Sequence, residues 1–176
     1  MQRIEIAGSI RRRKETVKDI DILAASADSG PVMDFFTGLP DVESVIAKGD
    51  TKSSIRAASG IQVDLRIVTD KEFPFALHHF TGSKEHNIAM RGRAIDRGLK
   101  MNEYGLFKGE HPVPCKDEED IFRALKLDYI PPELREDRGE IEAAEKHLLP
   151  QLVEDKDIRG TFHANTNHSE IGRAHV

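Results

Sequence analysis

The chain has 176 residues, 38% of them apolar and 32% charged, with a formal net charge of −5. That length suits one domain with a sizeable core, or one core with a small satellite. The charge excludes a nucleic-acid binder driven by overall basicity, so any such binding must come from local patches. The single cysteine, Cys115, excludes an internal disulfide and leaves no zinc pattern. A reducing, cytoplasmic setting is therefore expected. No apolar run approaches the roughly 18 residues of a membrane span, and no signal-peptide stretch opens the chain, so no membrane partner is expected.

Met1-Gln2-Arg3 runs straight into Ile4-Glu5-Ile6-Ala7, a strand pattern with no preceding cap or helix, as at a cut end. Residues 3–12 and 19–24 read as two strands of a β-hairpin joined by the charged loop Arg13 to Lys18. The second alternates strictly through Asp19-Ile20-Asp21-Ile22-Leu23. Pro31 to Leu39, opened by Gly30-Pro31 and closed by Gly38 and Pro40, predicts a short helix with Val32, Phe35, Phe36 and Leu39 on its apolar side. Val42 to Ala47 and Ile61 to Val68 follow as strands, separated by Lys48-Gly49-Asp50-Thr51-Lys52. The expectation is one small mixed sheet with a helix against it.

From Lys71 the apolar period becomes helical, through Phe73, Leu77 and Phe80, then Ile88, Ala89 and Ile95. A second, mainly helical unit begins there. It holds a small hairpin over residues 100–107 and two helices, Glu118 to Leu127 and Gly139 to Leu149, kept apart by Pro131-Pro132. The charge run from Glu133 to Glu142 reads as a solvated helix start. His78-His79 reads as a packed or solvated pair and Cys115 as an ordinary loop residue. Residues 157–163 read as a linker entering a new strand, with a second cut end soon after.

Asp19 and Asp21 stand two apart on a strand, so their carboxylates leave the same face about 7 Å apart along the chain. Asp64, in Gln62-Val63-Asp64-Leu65-Arg66, lies on another alternating strand that an antiparallel neighbour would bring opposite the pair. Three carboxylates on one face repel one another unless cations sit between them. Hard oxygen donors suit Mg²⁺, which keeps waters and recruits substrate phosphates. Two such ions, about 3.5–4 Å apart, activate an attacking hydroxyl and stabilise a leaving pyrophosphate. Alone, Asp-Ile-Asp ordinarily decorates the wet side of an amphipathic strand. The preceding Gly8-Ser9, which lets phosphate oxygens approach the backbone, and the cations Arg11, Arg12, Arg13 and Lys14 favour chemistry instead.

Gly8-Ser9-Ile10-Arg11-Arg12, Asp19-Ile20-Asp21 and Val63-Asp64-Leu65-Arg66 together resemble the nucleotidyltransferase signature of the family X DNA polymerases, the group of polymerase beta. Phe80-Thr81-Gly82-Ser83, Asn87 and Met90-Arg91 resemble the stretch where that family packs the incoming sugar and base. Lys48-Gly49-Asp50-Thr51-Lys52 resembles its primer-backbone loop. Met101-Asn102-Glu103-Tyr104 and residues 129–135 resemble its thumb. The likeness runs from Arg3 to about Leu149.

The resemblance implies that Asp19, Asp21 and Asp64 are the catalytic and metal-binding residues. Asp19 and Asp21 would bind two Mg²⁺ ions, with Mn²⁺ as a substitute, and Asp64 the catalytic one, helping activate the primer 3′-hydroxyl. It implies nucleotide binding by Gly8, Ser9, Arg12, His79, Phe80, Gly82 and Asn87, with Ser9 and Arg12 on the triphosphate and Asn87 at the minor-groove base edge. It implies DNA binding by Lys48, Gly49, Thr51, Lys52, Arg91 and Tyr104. The sequence departs from the pattern in three places. His79 replaces a tyrosine near the sugar, Lys84 an acidic residue beside the base, and Gln62 an arginine beside Asp64.

The implied class is α+β: a nucleotidyltransferase palm over residues 1–70 with a small mixed or antiparallel sheet and helices, then a small, mainly helical thumb with a short hairpin over 71–150. Residues 151–176 would be a linker and the truncated start of a PHP phosphoesterase domain. Its His-x-His pair here reads His163-Ala164-Asn165, so no working nuclease is expected of this length. Residues 171–176 depart from the family, and His163 and His168 read as remnants without carboxylate partners. The implied activity is DNA-directed addition of dNMP to a primer 3′-end in gap-filling repair, weak in this stretch alone, with dNTP and primer–template or gapped DNA as partners and no protein partner. Two alternatives stand beside it: a small nucleotidyltransferase acting on a protein or small molecule, which would need no thumb, and a non-catalytic DNA-binding fragment.

Overall fold

The structure, a computed structural model, describes residues 2–160. The PHP-like segment with His163, Asn165 and His168, and residues 171–176, lie outside the described residues. The first unit runs β1 (Arg3–Ile6), α1 (Gly8–Arg11), β2 (Asp19–Ala25), α2 (Gly30–Thr37), β3 (Val42–Lys48), β4 (Lys52–Ala57) and β5 (Gln62–Val68). Its five strands form one sheet in the order β1-β2-β5-β4-β3. Every neighbouring pair is antiparallel except β2 and β5, which run parallel.

Alternation divides the sheet's side chains between two layers. Ala24, Ile55, Leu65 and Ile67 pack on Met33 and Phe36 of α2. On the other face Leu23 and Ala25 meet Phe73, Ala76 and Leu77, from α3 (Phe73–Thr81). That helix covers only the C-terminal half of β2 and β5, and the half bearing Asp19, Asp21 and Asp64 projects past it.

After α3 come α4 (Lys84–Asp96), a three-stranded meander of β6 (Lys100–Asn102), β7 (Gly105–Lys108) and β8 (His111–Val113), then α5 (Glu118–Ala124) and α6 (Glu140–Glu145). Ser83 caps α4 by accepting from the His86 amide at 3.2 Å, and Asp117 caps α5 by accepting from Asp120 at 2.9 Å. Their core gathers Phe75, Met90, Leu106, Ile121, Phe122, Leu125 and Ile130. Among the described residues no helix is long and apolar enough to cross a membrane.

The two units are joined through the buried carboxylate of Glu118. Arg135, with no exposed surface, donates to Glu118 Oε1 at 2.5 Å and to the Ile130 carbonyl at 2.9 Å, and lies over the rings of Phe122 and Tyr129. Arg11, from the first unit, reaches the other Glu118 oxygen at 2.5 Å and Thr81 Oγ1 at 2.7 Å. Burial works against ionisation of Glu118, but the two guanidiniums outweigh it and hold the carboxyl below its usual range.

Several expectations need correction. The first strand stops at Ile6, and Gly8 to Arg11 is a helical turn rather than strand, although β1 and β2 do pair antiparallel. The span read as Val42 to Val68 holds three strands, because Lys52 to Ala57 also pairs. A further strand, β8, extends the second hairpin. Phe35 is 72% exposed and Ile95 69% exposed. In α4 the inward positions are His86, Asn87, Met90 and Ala94, two of them polar because α4 faces polar partners. The helices at 118 and 139 are shorter, ending at Ala124 and Glu145. The run from Glu133 to Glu142 is not merely solvated: it contains buried Arg135 and Glu140. Glu140 accepts from His86 Nδ1 at 2.7 Å and from two backbone amides, and although burial opposes this, its carboxyl is lowered to about 2.

His78 is wholly buried between His86 and Phe122, and neither ring nitrogen has a hydrogen-bond partner among the described residues. Burial first, then Arg135, hold its pKa well below 6.5, so the folded ring stays neutral where the unfolded one would take a proton. Stability is then full above about pH 6.5 and lost as the pH falls below it. Melting temperature should drop on acidification from about pH 7 to about pH 5, and a His78→Leu variant should show a shallower slope. An unchanged slope would assign the loss to other groups.

Candidate active site

The site begins where β1 ends. Ala7 donates to the Asp21 carbonyl at 2.8 Å, and the chain then turns at Gly8 with φ of +62°. A Cβ at Gly8 would lie 2.2 Å from Asp21 Oδ2, so only glycine lets this turn rest against the acidic strand. The turn delivers Ser9 and, at its C-terminal cap, Arg12 to the rim beside Asp21.

The parallel β2–β5 register sets Asp21 directly beside Asp64 and Asp19 beside Gln62, so these four residues share one face. The neighbouring strand is parallel, not antiparallel as the sequence reading had it. On the other side of Asp64 stands Ser54 of β4. Burial raises the pKa of Asp21; Asp19 and Asp64 raise it further, against Arg66 and Lys52. Asp64 is nearly buried, which alone would raise its pKa, but hydrogen bonds from Lys52, Gln62 and Ser54 hold it below the usual range. Lys52 Nζ stands 2.7 Å from Asp64 Oδ2, and Gln62 Nε2 donates to Oδ1 at 2.9 Å.

The donors suit a hard divalent cation: carboxylate oxygens crowded on one face, with Asp21 destabilised by its neighbours' charge. Asp19 and Asp21 open into the cleft. Asp64 has both oxygens engaged, and among the described residues no three acidic, His or Cys side chains stand close enough to ligate one ion together. Lys52 supplies the positive charge that Asp64 needs.

The cleft, of about 360 Å³, is closed opposite the carboxylates by the end of α3 and the start of α4. Gly8, Ser9, Arg12, His79, Phe80, Gly82 and Asn87, the residues expected around a nucleotide, all line it, with Lys84 and Arg91. Asn87 donates to the His79 carbonyl at 2.7 Å, fixing its amide. Burial lowers the pKa of His79, so a neutral ring packs edge-on to Phe80 at 5.0 Å. Larger hollows lie elsewhere, one of about 450 Å³ between α2 and the sheet, but that one is almost wholly apolar.

Lys48, Gly49, Thr51 and Tyr104 do not reach the cleft. Lys48 pairs with Asp34 at 2.5 Å, Gly49 and Thr51 form the β3–β4 turn, and Tyr104 is exposed in the β6–β7 turn. Sequence reasoning missed the residues that hold the rim. Arg12 Nε donates to Glu136 at 2.9 Å and Nη1 to the Thr81 carbonyl, while Lys14 reaches Glu136 at 3.3 Å. No local pattern marks Glu136 for this, since the contact closes across more than a hundred residues.

A family model described as the DNA polymerase beta thumb matches residues 76–136. Over 168 residues the chain is 40% identical to the Bacillus subtilis (strain 168) protein DNA polymerase/3'-5' exonuclease PolX, covering 93% of this chain and 29% of that protein. The chain thus spans less than a third of that relative's length. It is 29% identical over 143 residues to Repair DNA polymerase X of African swine fever virus (isolate Tick/Malawi/Lil 20-1/1983), covering 75% of this chain and 80% of the viral protein. Among solved structures, Leishmania infantum polymerase beta in a ternary P/T complex superposes with a TM-score of 0.66 at 27% identity, covering 76% of this chain and 67% of that one.

A Gly8→Ala variant tests how this cleft is built. The left-handed backbone at Gly8 would cost about 1–2 kcal/mol with a Cβ present, and the new methyl would push Asp21 aside. Urea unfolding should show a loss of at least about 1 kcal/mol; wild-type stability would mean that the turn relaxes freely.

Proposed function

From a chain that belongs to the family X, polymerase beta-like DNA polymerases, we propose the palm and thumb of a repair polymerase that adds a deoxynucleotide to a DNA primer 3′-end. The observation that carries the reading is the in-register Asp21–Asp64 pair beside a cleft shared by Ser9, Arg12, Asn87 and Arg91. The viral relative supports activity within this span, because the protein named Repair DNA polymerase X is matched over 80% of its length. The palm corresponds to residues 1–70, the thumb to 71–150, and the linker begins at 151. A cytoplasmic setting fits, with dNTP and primer–template or gapped DNA as partners and neither membrane nor protein partner required.

Asp19, Asp21 and Asp64 would hold Mg²⁺, with Mn²⁺ as a substitute, which when bound neutralises phosphate charge and acidifies the primer hydroxyl. The chain's own residues do the rest. Ser9 and the open backbone at Gly8 receive the triphosphate, and Arg12, pinned by Thr81 and Glu136, offers its remaining N–H groups to phosphate oxygens. Asn87, with one N–H of its amide locked to the His79 carbonyl, keeps its second N–H to donate to the acceptor atoms of the base's minor-groove edge. Neutral His79 and Phe80 bound the sugar, and Gly82 keeps that wall thin. Arg91 lies where a template strand would pass. Lys48, Gly49, Thr51 and Lys52 form a turn suited to primer phosphates, and Tyr104 adds a contact from the second unit.

Primer extension on one-nucleotide-gapped DNA tests the proposal. Mg²⁺ and the complementary dNTP should give one-nucleotide extension, and Asp64→Ala should lower the rate on the order of 100-fold or more. Arg12→Ala should weaken triphosphate binding about tenfold, the loss of a charge-assisted contact. Transfer to protein or a small molecule without template dependence would favour the alternative nucleotidyltransferase, which the thumb-like second unit argues against.

A further inference from the structure

We propose that Lys52 is a positioning residue that occupies the cation's place on Asp64 and gives it up to a divalent ion when its own ammonium is drawn to a DNA phosphate. This rests on reading the three aspartates as a metal site. The acidic face is then held in an ion-free form by a cation of the chain itself.

Three observations carry it. The first is contact: Lys52 Nζ lies 2.7 Å from Asp64 Oδ2 while Gln62 donates to Oδ1, so each Asp64 oxygen is already engaged and Oδ2 by a full positive charge. The second is the consequence for ligation. Asp21 stands beside Asp64 in register, yet no three acidic side chains among the described residues share an ion-sized space. The third is placement. Lys52 opens β4 at the end of the tight β3–β4 turn, where Gly49 donates to the Lys52 carbonyl at 2.9 Å, and its side chain is 40% exposed. Its ammonium can therefore leave Asp64 for solvent by rotating a flexible stem, with no change in the strand. A nearly buried carboxylate is costly without a partner, so Asp64 is always paired, first with Lys52 and then with the ion.

The exchange conserves charge locally. One positive charge leaves Asp64 as the ammonium swings out, and the incoming cation replaces it. A DNA phosphate favours the swing because it offers the ammonium a second anion. Ion affinity should consequently rise when DNA is bound, and the rise should depend on Lys52. By linkage, the ion should strengthen DNA binding by the same factor.

The test is Mn²⁺ binding to the whole chain, followed by calorimetry and by the electron paramagnetic signal of free Mn²⁺, with and without gapped duplex. Lys52→Met and Lys52→Gln should each bind Mn²⁺ about fivefold more tightly than wild type, the upper range for a half-exposed ion pair. Gapped duplex should tighten wild-type ion binding and leave both variants unchanged. Combining Lys52→Met with Asp64→Asn should abolish the gain. Asp21→Asn separates the two levels of the reading. If it weakens Mn²⁺ binding while the Lys52 variants match wild type, the metal site stands and the role of Lys52 is overturned. If Asp21→Asn and Asp64→Asn both leave Mn²⁺ binding unchanged, the metal site falls, and the exchange falls with it.

Discussion

The arrangement of this protein follows from one pairing, the parallel register of β2 with β5. It places Asp21 against Asp64 on the middle of a five-stranded sheet. A parallel neighbour demands a crossover, and here α2 with the β3–β4 hairpin supplies it, bringing β5 back between β2 and β4. Asp64 is nearly buried because Asp21 and Ser54 flank it on the neighbouring strands and Lys52 and Gln62 close over its carboxylate, while Asp19, further toward the rim, is exposed. A carboxylate at that depth needs partners, and Lys52, Gln62 and Ser54 are the ones the sheet provides. The apolar half of the same face receives α3, so one sheet surface is divided between a packing surface and a charged one.

The second unit determines whether that charged surface becomes a cleft. Arg11 and Arg12 leave the first unit on consecutive positions and are gripped by Glu118, Thr81 and Glu136 from the rest of the chain. Removing one partner of a buried pair such as Arg135–Glu118 leaves an uncompensated charge costing about 3–5 kcal/mol. The turn that carries Ser9 is thus held from both sides: by Asp21 packed under Gly8 and by the guanidiniums anchored beyond it.

Local pattern made much of this readable. Asp-Ile-Asp alternation puts two carboxylates on one face in any strand, Gly8-Ser9 announces a close backbone approach, and the change of apolar period near Lys71 marks the shift from sheet to helices. The antiparallel β1–β2 pair, the helix at 30–37 and the hairpin at 100–108 follow from the same short-range signals. The cleft-lining residues at 79–91 came from resemblance rather than from period or spacing, and the structure gathers them around one space.

What only the tertiary structure decided is which groups face each other. Lys52-Ser53-Ser54 carries too little apolar alternation to declare a strand, and β4 exists because β5 and β3 bond to it on both sides. The direction of β5 relative to β2 cannot be read from either strand, since alternation is the same whichever way a neighbour runs. The inward stripe of α4 carries His86 and Asn87 while Ile88 and Ile95 face outward, a choice made by Glu140 and the His79 carbonyl waiting on the other side. The chain by itself determined where carboxylates and cations stand along each element, because backbone period is local. The folded structure decided that Lys52 meets Asp64 and that Glu136 meets Arg12, because a charge chooses its partner by distance in space.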